Sequence, residues 1–135
     1  MAKKIAEIEG IGPVYAEKLS KAGVLTVEGL LEKGASRPGR KNIAEDSGID
    51  ESKILNWVNK ADLFRIKGVG PQFSELLEAA GVDTVPELAS RKPEALLEAL
   101  AKVNEKKNLV NLLPGLSRVE AWVKQAKSLK RAVEY

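Results

Sequence analysis

The chain has 135 residues, of which 44% are hydrophobic and 30% charged, and its net charge is +3. This balance suits one folded soluble domain or two small halves, and it is far too mild for a dedicated nucleic-acid packer. Cysteine and histidine are both missing, which excludes thiol catalysis, disulfides, Cys/His zinc sites and histidine general bases.

Ala, Leu, Glu and Lys dominate the sequence, and all four favour helix, so an all-α fold is expected. A first helix is predicted up to Ile8, followed by a Gly10-Ile11-Gly12 turn. Pro13 then sits just inside the next helix, where a missing N–H costs nothing. That helix should run to about Ala22 and stop at Gly23. Thr26 is placed to cap the next one. Ser36 begins another helix, which Gly48 ends, and Asp50 caps the helix that carries Trp57. Between Asp50 and Ile66 there is no Gly, no Pro and no polar linker. The Trp57 helix is therefore predicted to continue as the first helix of the second hairpin, up to Ile66, with Ile54, Val58, Ala61, Leu63 and Phe64 on its buried face.

A second Gly-x-Gly turn follows at Gly68-Val69-Gly70, with Pro71 behind it. The helix after it should end at Ala80 before Gly81. Thr84 and Glu87 have the spacing of a capping box. Pro93 and Glu94 open a longer helix, and Ser117 is placed to cap the last one.

This order repeats itself. With an offset of 58, Gly10, Gly12, Pro13, Leu19, Gly23, Thr26 and Leu30 match Gly68, Gly70, Pro71, Leu77, Gly81, Thr84 and Leu88. With an offset of 65, Trp57, Val58 and Ala61 match Trp122, Val123 and Ala126, so the second copy gains residues around LAKVNEKKNLVNLL. The expected architecture is two tandem repeats, 1–64 and 65–135, related by a pseudo-two-fold and packed as one rigid body of about ten short helices. Residues 1–64 carry 10 basic and 10 acidic side chains, and residues 65–135 carry 12 and 9.

Two properties make a Gly-x-Gly turn useful between helices. Glycine accepts φ > 0 and lets helices cross closely. The helix that starts after the turn also presents free N–H groups at the positive end of its dipole, and such an end binds phosphate without a basic side chain.

IAEIEGIGPVYAEKLSKAGV and LFRIKGVGPQFSELLEAAGV resemble the helix-hairpin-helix motif of DNA repair and recombination proteins. AGVLTVEGLL and AGVDTVPELA resemble the stretch after the hairpin in the C-terminal domain of the RNA polymerase alpha subunit. Over nearly its whole length the chain is similar to a bacterial family of tandem helix-hairpin-helix proteins, of SAM-like fold, with no assigned function. The resemblance implies that hairpin amides grip DNA phosphates without reading sequence. Carried over, the phosphate-facing positions are Gly10, Gly12 and Val14 in the first repeat, and Gly68, Gly70 and Gln72 in the second.

The surroundings of the two turns differ. Glu9 precedes Gly10, whereas Lys67, with Arg65 nearby, precedes Gly68. Behind the first turn stand Lys18 and Lys21; behind the second stand Glu75 and Glu78. SRPGRKN places Arg37, Arg40 and Lys41 at the start of a helix as a further phosphate clamp or a solvated turn, with Lys53 near them. Lys124, Lys127, Lys130 and Arg131 are spaced as one face of the last helix. Trp57 and Trp122 suit either base stacking or a core, and Tyr15 and Phe73 match each other as core residues.

No catalytic constellation is present, and no tight acidic cluster suggests a metal. No stretch approaches the roughly 18 apolar residues of a membrane span, and MAKKIAEIEG lacks the apolar core of a secretory signal. The expectation is a cytoplasmic, non-enzymatic, sequence-nonspecific DNA-binding protein without cofactor or metal. The alternative is a protein-interaction or scaffold module on the same fold.

Overall fold

The structure, a computed structural model, describes residues 3–135. The chain divides into two compact units, Met1–Asp62 with Ala132–Tyr135, and Leu63–Arg131. The described residues form eight α-helices and one 3-10 helix. They contain no strand, and extended backbone meets only at the isolated bridge between Lys4 and Thr26. The helices are fewer than the ten or so expected. The stretch before Gly10 makes a single 3-10 turn, Ile5–Glu7, and the stretch before Gly68 adds no helix of its own after Leu63.

Unit 1 contains that 3-10 turn, α1 (Pro13–Lys21), α2 (Val27–Gly34), α3 (Arg37–Ser47) and α4 (Glu51–Leu63), whose last residue opens unit 2. Local chemistry sets each boundary. Pro13 occupies the first position of α1. Beyond its end Gly23 takes φ +80°, and the Val24 N–H reaches back to the Leu19 carbonyl at 2.9 Å, closing the helix end by a left-handed cap. The Thr26 hydroxyl accepts from the Gly29 N–H at 2.9 Å, and the Ser36 hydroxyl from the Gly39 N–H at 3.2 Å. The Asp50 carboxylate accepts from the Ser52 N–H and hydroxyl, which hold its pKa below the ordinary value.

Gly39 is tied to its neighbours in another way. A Cβ at this position would run into the Lys33 carbonyl oxygen. In a free helix Gly→Ala gains up to about 1 kcal/mol. Here Gly39→Ala is expected to cost about 1–3 kcal/mol by overpacking against backbone, measurable by urea unfolding.

The last residues of the chain pack in unit 1. Val133 is buried. The Glu134 N–H donates to the Ala35 carbonyl at 2.7 Å, and the Tyr135 hydroxyl donates to Asn59 Oδ1 at 2.9 Å.

Unit 2 contains α5 (Pro71–Ala79), α6 (Val85–Ala89), α7 (Pro93–Lys107) and α8 (Leu116–Ser128). Its core includes Leu76, Leu77, Leu88, Leu96, Leu100 and Trp122. Thr84 caps α6 by accepting from the Glu87 N–H at 3.3 Å. The Glu87 carboxylate does not complete the expected capping box. It pairs with Arg91 at 2.9 Å, and Arg91 also donates to the Gly81 carbonyl at 3.2 Å. In unit 1, Lys33 donates in the same way to the Gly23 carbonyl at 2.7 Å. The added residues of the second half lie in the longer α7 and the loop after it. There Asn108 takes φ +50°, and the Asn104 amide clamps both the N–H and the carbonyl of Val110 at 3.0 Å.

Two expectations about α8 need correction. Its cap is Gly115 rather than Ser117, which lies in the first turn. The helix ends at Ser128, so Lys124 and Lys127 stand on it, while Lys130 and Arg131 lie in the irregular chain beyond.

Candidate functional site

In the first turn, Ile8 and Ile11 are buried and anchor the backbone, and the Ile11 N–H donates to the Ile8 carbonyl at 3.1 Å. Between them Gly10 takes φ +95°, and a Cβ on it would sit 3.5 Å from the indole nitrogen of Trp57. Trp57 is only 5% exposed, and the Tyr15 ring meets it edge-on with centroids 5.1 Å apart. The buried Lys60 side chain donates to the Glu9 carbonyl at 3.2 Å, fixing the turn from below.

The second turn is built from different residues with the same chemistry. Ile66 and Val69 are buried, and the Val69 N–H donates to the Ile66 carbonyl at 3.0 Å. Gly68 takes φ +93°, with the place of its Cβ 3.2 Å from the Trp122 indole nitrogen. Phe73 lies 5.2 Å from Trp122, centroid to centroid. Gln125 accepts from the Lys67 N–H at 3.0 Å. Both tryptophans are therefore core supports beneath the turns, not open stacking surfaces.

The second glycine of each turn is a different case. Gly12 has φ −87°, ψ −175°, and Gly70 has φ −111°, ψ −158°. This is extended backbone open to any residue. No atom lies within 4 Å of the place of a Cβ on either one. Neither conformation nor packing requires glycine there. Each caps a helix, a position where Ser, Asp or Asn would serve the fold slightly better. Pro13 and Pro71 follow and carry no N–H. The first bonds inside α1 and α5 run from Ala16 to Gly12 and from Ser74 to Gly70, each at 2.9 Å. The N–H groups of Val14 and Tyr15, and of Gln72 and Phe73, thus have no partner within their helices.

The remaining expected site residues divide by exposure. Val14, Lys18, Lys21, Arg37, Lys41, Lys67 and Gln72 are exposed, as are Gly10, Gly12 and Gly68. Gly70 is half-buried. Arg37 and Lys41 line a shallow cleft with Pro38 and Glu51, whose carboxylate offsets their charge. Arg40 does not join them. It is 4% exposed, its guanidinium donates to the Gly34 and Ala35 carbonyls at 2.9 and 3.2 Å, and it lies 5.9 Å from the Tyr135 ring centre. It caps the end of α2 instead of facing a ligand. Arg65 is half-buried and donates to the Lys130 carbonyl at 2.7 Å, so it too is held by the protein.

Two cations stand by the turns that the sequence did not place there. Lys53 lies 5.8 Å from the Tyr15 ring centre, with Lys18 at 5.9 Å from the same ring. Arg118 lies 5.0 Å from the ring centre of Phe73 and 5.8 Å from that of Trp122. The available signal was a basic residue four positions before each tryptophan, in KILNW and RVEAW.

Among the described residues, no group of three or more Asp, Glu, His or Cys side chains could hold a metal ion, and no helix is long and apolar enough to cross a membrane. A family model described as "domain of unknown function (DUF4332)" matches residues 9–129. No curated protein and no solved structure matches the chain.

Proposed function

The chain belongs to the DUF4332 family, whose description carries no function, and we propose that it is a non-enzymatic protein that grips the phosphate backbone of DNA without reading sequence. Each unit is then a helix-hairpin-helix, and the chain is a tandem repeat of two. The observation that carries this reading is the pair Gly12 and Gly70. The fold itself accounts for Gly10 and Gly68 through their positive φ, and at Gly68 also through the indole nitrogen 3.2 Å from the place of a Cβ. At the helix caps the fold accepts glycine but does not require it. A bare cap beside unsatisfied N–H groups suits close approach by a phosphate oxygen from outside.

The second turn is the stronger of the two. Exposed Lys67 stands where the first turn carries exposed Glu9, and like charge at that place disfavours phosphate. The role needs neither cofactor nor metal, and it is assigned to the cytoplasm.

The test is fluorescence anisotropy of a labelled mixed-sequence duplex titrated with the full chain at increasing salt. Log affinity is expected to fall against log salt with a slope of about −2 to −5, as a handful of phosphate contacts requires. Different duplex sequences should bind alike. Failure to bind duplex, hairpin or single-stranded DNA at low salt overturns the reading.

One observation favours contact with a protein at the first turn. Val14, the second residue of α1, is 66% exposed, and the exposed Glu9 precedes the same turn. Salt-insensitive binding of a protein partner, lost in Val14→Asp, would assign that turn to a protein.

A further inference from the structure

We propose that Arg118 is the phosphate-gripping side chain of the second turn, and that Lys53 holds the same office in the first. The inference rests on the phosphate-binding role proposed above and names residues that the turn sequences themselves do not contain.

Arg118 is exposed on α8, one helical turn before Trp122. Its guanidinium carbon lies over the rings of Phe73 and Trp122, 5.0 and 5.8 Å from their centres, and one of its terminal nitrogens lies 3.8 Å from the place of a Cβ on Gly68. Among the described residues its side chain makes no hydrogen bond or ion pair. Arg65 and Arg91 of the same unit are both committed, to the Lys130 carbonyl and to Glu87 with the Gly81 carbonyl. An aromatic face attracts a guanidinium without taking up its N–H groups as a carboxylate or carbonyl would. Those edge donors match a phosphate in bidentate fashion. Phe73 is the third residue of α5, so the ring that supports Arg118 also carries one of the free N–H groups of the helix start. The start of α5 thus supplies backbone donors, and Arg118, over the ring of its third residue and near Gly68, supplies a cation at the same turn.

Unit 1 has the same arrangement with point charges. Lys53 and Lys18 both lie over Tyr15, the third residue of α1, and both are exposed. Lysine offers no planar fork. The second turn therefore depends on geometry at its cation, and the first depends on charge alone.

The experiment uses the full chain and the same labelled duplex. Arg118→Ala is expected to weaken binding about tenfold, the loss of one charge-assisted bidentate contact, and to reduce the salt slope by roughly one. Arg118→Lys should keep the slope and still lose affinity. Lys53→Arg should bind at least as well as the parent. Lys102→Ala is the control, since Lys102 is exposed and paired with Glu98 at 3.4 Å, and its binding should stay within about twofold of the parent. If Arg118→Ala behaves like Lys102→Ala, this inference is overturned and the phosphate reading stands. If the parent binds no nucleic acid, both fall. Should Arg118→Ala lose its fold by circular dichroism, the Nε–H resonance of Arg118 in the parent decides: it should shift on addition of duplex, and an unmoved resonance overturns the assignment.

Discussion

Gly70→Asp is expected to make the protein more stable and at the same time weaken its binding to DNA at least about tenfold, because one carboxylate acts in opposite directions on the two properties. Gly70 is the cap of α5, in extended backbone, with open space where a Cβ would go. An aspartate there accepts from the free N–H groups of the first turn and faces the positive end of the helix dipole. It also removes glycine's extra freedom from the unfolded chain. Together these contribute about 0.5–1 kcal/mol. The same carboxylate stands where a phosphate oxygen would sit. Gly12→Asp should behave alike at α1, with a smaller loss of binding, since Glu9 already weakens that turn. Thermal unfolding and the anisotropy titration, run on each variant separately, check both signs. A stabilised Gly70→Asp protein with unchanged DNA affinity would remove the argument on which the proposed function stands.

Trp122→Ala should cost about 3–5 kcal/mol, the range for removing a large buried aromatic side chain. Trp122 is 2% exposed, supports Gly68 from beneath and packs against Phe73 and Arg118. For 135 residues the whole stability is about 7–20 kcal/mol, so the loss is a large share of it. Trp57 is the only other tryptophan in the sequence, and its fluorescence in this variant reports unit 1 alone. Urea unfolding followed by far-ultraviolet circular dichroism measures the total, and a loss below about 1 kcal/mol would contradict a supporting role for the indole.

Helix ends were the most legible part of the sequence, because they depend on single residues with strong local chemistry. Thr26, Ser36, Asp50 and Thr84 cap as their side chains dictate, and Gly23, Gly48 and Gly81 take the positive φ that helix exits require. What stayed hidden depends on side chains meeting across elements. Arg40 looks like a surface cation in SRPGRKN, and nothing in its spacing shows that it folds back on two carbonyls of α2. Glu87 has the right spacing for a capping box, but Arg91 one turn later competes for its carboxylate. Lys53 and Arg118 reach their rings only because side chains of α4 and α8 meet those of α1 and α5. The two glycines of each turn look identical in the sequence. The backbone conformation of each separates the one the fold needs, at positive φ, from the one it does not.

The tail Ala132–Tyr135 has a consequence for how the protein is made. Its residues pack in unit 1 and follow the whole of unit 2 in the sequence. During synthesis, domains fold as their residues emerge. Unit 2 has every residue it needs once Arg131 has left the ribosome. Unit 1, although it starts first, still lacks buried Val133 and the Tyr135–Asn59 hydrogen bond at that moment. The half that is translated first is therefore the half that is completed last.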